Sequence, residues 1–221
     1  GPFVVLNSAG VFGKSIILAM NFLAHLYLSG DDPEVMVGNF IGDFVKGRNV
    51  RERFRPGIAA GIELHRAIDD FTDAHPVVDR SKQRLRPNLR HYSPVVADMF
   101  YDHFLAANWR HYHSEPLTLY AAGVYRLLES YRDVLPEGVK AMLPYMVGGN
   151  WLVSYARIEG IQRALNGMAA RTPYESGMET ATKLLRAHYD SFKEEFTEFF
   201  PELAHFASRY RSGDGHEYSN K

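Results

Sequence analysis

The chain reads as an all-α, single-domain helical bundle. Three features of its 221 residues predict this. Apolar residues recur at helical spacing along most of the length, alternating strand patterns are nearly absent, and proline or Asx residues stand where helices would start. Connections are short, and neither an internal repeat nor a low-complexity linker interrupts the pattern.

The elements follow in order. The apolar run Ser15 to Leu28 is too short to span a membrane and contains Asn21 and His25. Asp31-Asp32-Pro33 predicts a helix start, with a carboxylate cap followed by Pro in the first turn, and Gly47 is the expected stop. The next helix opens near Pro56, runs through Ile58, Ile62, Leu64, Ile68 and Phe71, and breaks at Pro76. Ser93-Pro94 opens another, carrying Val95, Met99, Phe100 and Leu105 toward the core. Ser114-Glu115-Pro116 starts one that ends near Pro136. Further helical segments cover roughly 150–171 and 175–211, the second interrupted at Pro201. Gly1-Pro2 resembles an expression scar and Met20 a natural start. Residues 1–19 are therefore expected to be an N-terminal extension or remnant, 20–211 the helical domain, and 212–221 a flexible tail.

Composition narrows the function classes. A hydrophobic content of 46% supports one sizeable core, and 23% charged residues fit a soluble globular chain. No cysteine is present, which excludes a disulfide framework and thiolate zinc sites and fits a reducing, cytoplasmic setting. The net charge of −1 conceals a sharp unevenness. Lys46, Arg48, Arg51, Arg53 and Arg55 form one basic block, and Arg80, Lys82, Arg84, Arg86 and Arg90 a second. Asp190, Glu194, Glu195, Glu198 and Glu202 answer near the C-terminus. Such blocks are usually solvated faces; the sharper reading is a docking surface for an acidic partner. Phe54 is the one aromatic residue within them, too few for interleaved stacking, so nucleic acid is not expected as a partner, nor is a membrane.

Chemistry concentrates on His and Asp residues at helical spacing. Residues four apart on a helix share a face, so His65 and Asp69 can reach one ion, with Asp73 extending the stripe. Arg66 or Arg80 would neutralise that stripe equally well. Asp98 and Asp102 repeat the spacing, while the adjacent His103 is turned about 100° away. Asp43 lies among Phe40, Ile41, Phe44 and Val45, where a carboxylate is costly unless paired. Taken alone it reads first as a buried salt bridge, and His25, on an apolar helix, as a hydrogen-bonded core residue. Lys46, three residues beyond Asp43, would lie on nearly the same helical face and reach a phosphate oxygen. Convergence is what favours a metal pocket: several such pairs on separate helices of one small domain. Mixed imidazole and carboxylate ligands without thiolate suit Mn²⁺, Mg²⁺ or Fe. An ion of this kind polarises a phosphoryl oxygen and lowers the pKa of water. No glycine-rich phosphate loop, HExxH, Gly-x-Ser-x-Gly or cysteine nucleophile is present.

Met20-Asn21-Phe22-Leu23-Ala24-His25-Leu26, Gly38-Asn39-Phe40-Ile41-Gly42-Asp43-Phe44-Val45-Lys46-Gly47, Gly61-Ile62-Glu63-Leu64-His65-Arg66-Ala67-Ile68-Asp69, Asp102-His103-Phe104 and Leu165-Asn166-Gly167-Met168 resemble the acyl carrier protein phosphodiesterase family. The likeness keeps the same order from about Met20 to Tyr210. It implies an HD-phosphohydrolase-like helical fold and a Mn²⁺-favouring enzyme. The implied reaction removes 4′-phosphopantetheine from holo-acyl carrier protein. In HD enzymes a His-Asp pair is followed three residues later by Lys; Asp43 and Lys46 fit, but Gly42 stands where the His would be. The missing imidazole must come from elsewhere, or the ligand set differs. The implied metal ligands are His25, Asp43, His65, Asp69 and Asp102, and the candidate catalytic residues are Asp43, Lys46 and His103. Arg51, Arg53, Arg84, Arg86 and Arg90 would dock the acidic carrier protein. A nucleotide phosphohydrolase, or a non-catalytic helical module binding an acidic protein, is the alternative expectation.

Overall fold

Two glycines set the central crossing of the molecule. The computed structural model describes residues 21–213. In it α2 (Pro33–Ile41) packs across α4 (Pro56–Ala74) with almost no side chain between them. A Cβ on Gly38 would lie 2.1 Å from the Ile58 carbonyl oxygen, and one on Gly61 would lie 2.2 Å from that of Val35. Any larger residue at either position would force the two backbones apart. The Asp32 carboxylate caps α2 by accepting from the Glu34 and Val35 amides, and Pro33 and Pro56 occupy the first turns of their helices.

The short α1 (Phe22–Leu28) and α3 (Val50–Arg53) flank this crossing. On the other side α4 is followed by α5 (Pro76–Leu89) and α6 (Ser93–Ala107). Next come α7 (Leu117–Ser130), α8 (Glu137–Gly148), α9 (Trp151–Ser154), α10 (Ile158–Ala169) and α11 (Ala181–Ala187). The long α12 (Tyr189–Ser212) returns across α4, α5 and α6 and closes the core with Phe192, Phe196, Phe199, Phe200 and Leu203. Among the described residues there is no strand, in agreement with the all-α expectation. No described helix is long and apolar enough to cross a membrane.

Several expectations need correction. The helix begun at Pro33 ends at Ile41, passes into a 3-10 turn over Gly42–Phe44, and Val45 is extended. Asp43 is therefore not in mid-helix, and Lys46 does not share a helical face with it. Pro201 does not interrupt α12. It deletes one helix hydrogen bond, while burial of Phe199, Phe200 and Leu203 on either side holds the helix together. The break falls instead at His188, between α11 and α12. Helices α5 and α8 arise in stretches for which the sequence pattern predicts none by name. The expected boundary at 211 falls within the last turn of α12, and residues 1–19 and 214–221 lie outside the described residues.

Candidate metal centre

Asn39 organises the site. It is fully buried in α2, between Gly38 and Phe40. Its amide nitrogen donates to the His25 carbonyl oxygen (2.8 Å) and to Ser29 Oγ (3.0 Å), so its Oδ1 must be the atom facing His25 Nδ1 at 2.8 Å. The Asn39 backbone oxygen in turn lies 2.8 Å from His65 Nδ1. Both contacts are to oxygen acceptors, so each imidazole, when neutral, carries its proton on Nδ1 and leaves a lone pair on Nε2.

Those two lone pairs meet two carboxylates. His25 Nε2 lies 3.2 Å from Asp69 Oδ1, and His65 Nε2 lies 3.2 Å from both Asp69 Oδ2 and Asp43 Oδ1. Despite these distances neither Nε2 makes an aligned hydrogen bond. The rings stack with centroids 4.0 Å apart, and the ligand atoms of His25, His65 and Asp69 all lie within 4.8 Å of one another. Lone pairs facing carboxylates in a buried setting repel unless a positive charge lies between them. A proton is one such charge. Burial pulls the His65 imidazole down, but the Asp43 and Asp69 carboxylates outweigh it and push the group up to about 10. Burial alone would raise Asp69, yet its contacts with His25 and His65 hold it below the usual carboxylate range. A divalent cation is the other. Two fixed imidazole nitrogens and a carboxylate, each imidazole held by an oxygen acceptor behind it, form a donor set that fits one.

Gly42 belongs to this geometry. A Cβ there would lie 2.3 Å from His65 Cγ, so the His65 ring fills the space that a side chain at position 42 would need. The centre faces outward on one side only. The imidazole side chains are 3% and 5% exposed, whereas those of Asp43 and Asp69 are 23% and 44% exposed. Positions beyond the protein ligands would therefore open toward Asp43 and Asp69.

Of the residues expected to gather, His25, His65 and Asp69 do so, and Asp43 adjoins them through His65. Asp102 does not. It is fully buried, and its two oxygens accept from the Leu23 and Ala24 amides at 2.9 and 2.8 Å, serving as the cap of α1. His103 is also engaged elsewhere, with Nδ1 2.8 Å from the Tyr155 oxygen and Nε2 3.0 Å from the Tyr189 hydroxyl. Asp73 pairs with Lys82 (2.7 Å), and Asp98 lines a small recess with Asn21, Ile68 and Thr72. Lys46 is exposed at the end of the turn that carries Asp43.

The proposed docking arginines also divide. Arg84 forms a two-pronged pair with buried Glu195 (2.7 and 2.9 Å), lies over the Phe192 ring, and so belongs to the α5–α12 interface. Arg86 pairs with Asp79 of its own helix (3.2 Å), and Arg51 with Glu63 (2.6 and 2.8 Å). Arg53 donates to the Lys46 carbonyl oxygen, and Arg90 is exposed. Two parts of the arrangement went unrecognised in the sequence. One is Asn39, signalled only by a polar residue amid Val37, Gly38, Phe40 and Ile41. The other is the reason for Gly42.

An all-helical chain with a two-histidine, one-carboxylate centre open on one side defines a candidate metal-dependent hydrolase. The family model described as acyl carrier protein phosphodiesterase matches residues 20–203, and the chain belongs to that family. An acyl carrier protein phosphodiesterase of Escherichia coli O6:H1 is 35% identical over 197 residues, covering 86% of this chain and 98% of the relative. One of Escherichia coli K12 is 36% identical over 194 residues, with the same coverage. No solved structure matches the chain.

Proposed function

We propose that this protein is a divalent-metal-dependent phosphodiesterase that releases 4′-phosphopantetheine from the serine of cytoplasmic holo-acyl carrier protein. Family membership supports the reaction and substrate. The metal dependence rests on one observation: Asn39 turns two imidazoles so that both Nε2 atoms meet the Asp69 carboxylate.

When bound, the cation, with Mn²⁺ the one implied by the family resemblance, would polarise a phosphoryl oxygen and lower the pKa of water. His25, His65 and Asp69 would hold it, with Asn39 fixing both tautomers from behind. Asp43, with Oδ1 3.2 Å from His65 Nε2 and its side chain partly exposed, borders the open side, where it can take the proton from the attacking water. Water oxygen bonds to phosphorus, the phosphorus–oxygen bond to serine breaks, and the serine oxygen takes up a proton from solvent, to which Asp43 returns the one it received. The Lys46 ammonium, on the loop leading out of the site, would offset charge on the phosphate. Relative to the HD pattern, the imidazole missing at Gly42 is replaced by that of His65, whose ring fills the adjoining space.

The test is a mass measurement on holo-carrier protein incubated with the enzyme, with Mn²⁺ and with EDTA. Loss of the prosthetic group only with metal is expected. Equal release in EDTA, or turnover of free nucleotides with no preference for carrier protein, would contradict the reading.

A further inference from the structure

The two basic blocks are alike in sequence but not in available charge. On α5, Arg80 pairs with Glu198, Lys82 with Asp73, Arg84 with Glu195 and Arg86 with Asp79. These four charges are thus met within the fold, two by α12, one by α4 and one by α5 itself. In the first block Arg51 pairs with Glu63 and Arg55 with Glu34, but the segment just after Asp43 differs. Arg66 Nη2 donates to the carbonyl oxygens of Val45 (3.0 Å) and Gly47 (2.8 Å), and Arg53 Nη1 donates to that of Lys46 (2.7 Å). Gly47, at φ +91°, lets the chain turn there. Carbonyl groups satisfy these guanidinium hydrogens without cancelling their charge. The side chains of Lys46 and Arg48 are exposed and have no acidic partner among the described residues.

We propose that this loop, residues 45–49, is the docking surface for an acidic protein, with Arg48 as its main contact beyond the chemistry. The inference rests on the carrier-protein reading above and deepens it. A loop braced through three successive carbonyls loses little freedom on binding, so its charge is presented at low entropic cost. It lies within a few residues of Asp43, so a partner seated on it brings its modified serine to the open side of the centre. Uncompensated positive charge there raises the encounter rate and selects a negative surface.

The experiment compares Arg48→Glu with Arg86→Glu, the latter changing the same charge in the block already paired within the fold. With holo-carrier protein, Arg48→Glu is expected to raise KM roughly tenfold while kcat stays within about twofold. Hydrolysis of bis-p-nitrophenyl phosphate with Mn²⁺ is expected to be unchanged, and Arg86→Glu to leave KM near wild type. Unchanged KM in Arg48→Glu, an equal rise in Arg86→Glu, or an equal loss on the small diester would overturn the proposal. Calorimetric binding of apo-carrier protein separates it from the enzymatic reading, since it needs no turnover. Tenfold weaker binding by Arg48→Glu supports the surface even if wild type releases no phosphopantetheine. Equal binding refutes the surface even if wild type is active.

Discussion

Asp69 with His65, and Asp102 with His103, are both buried or half-buried His/Asp pairs on long helices, yet they do opposite things. In the α6 pair each polar side-chain atom is used: Asp102 by two amides of α1, and His103 by the Tyr155 carbonyl and the Tyr189 hydroxyl. On α4 the Nδ1 of His65 is used, but its Nε2 and the Asp69 carboxylate face each other with nothing aligned between them. The first pair closes a structure, and the second is the one proposed to hold a cation. Spacing already sets i, i+4 partners apart from adjacent ones; the fate of each ring nitrogen and carboxylate oxygen shows what each pair does.

That contrast is sharpest in paired substitutions. Asp69→Ala is expected to cut phosphopantetheine release by roughly 10³-fold or more, since several kcal/mol of transition-state stabilisation would be lost. That loss should appear in the rate per folded molecule. Gly42→Ala should act on the same side more mildly, by about 10²-fold, because the new methyl displaces the His65 ring. Asp102→Ala should reverse the pattern. It is expected to lose about 1–3 kcal/mol of stability by orphaning two helix amides, while activity per folded molecule persists. Denaturant melts and initial rates on all three variants decide the matter. Loss of activity in Asp102→Ala without loss of stability would erase the distinction.

A smaller effect should appear with pH. Burial lowers the His65 imidazole, but the Asp43 and Asp69 carboxylates push it up to about 10, above its ordinary 6.5. A folded-state value above the unfolded one gives stability that is complete below about pH 6.5 and lost as pH rises through about 10. Metal-stripped protein should therefore fall in Tm across that window, and His65→Gln should lack this part of the fall. Saturating Mn²⁺, taking the place of the proton, should flatten the curve. Identical profiles with EDTA and with Mn²⁺ would count against a cation at this position.

Local chemistry was legible in the sequence, and long-range pairing was not. Pro56 and Pro76 bracket α4 to within two residues, and the i, i+4 placement of His65 and Asp69 survives intact. Asp32 caps its helix as its residue type predicts. What escaped depends on partners far along the chain. Asp102 caps a helix 79 residues away, and Arg84 pairs with an acid 111 residues away. Helix α5 is hidden because its charged residues read as a solvated block, when Glu195 and Glu198 of α12, Asp73 of α4 and its own Asp79 neutralise four of them. The 3-10 turn at Asp43 is set by the packing of Gly42 against His65, which no local pattern reveals.

Pulsed electron paramagnetic resonance on Mn²⁺-loaded protein addresses the centre most directly. Coordinated nitrogen couplings from two imidazoles are expected at one equivalent of Mn²⁺, falling to one imidazole in His25→Ala. Absence of stoichiometric Mn²⁺ binding, or a spectrum with no nitrogen coupling, would contradict a site built from His25, His65 and Asp69.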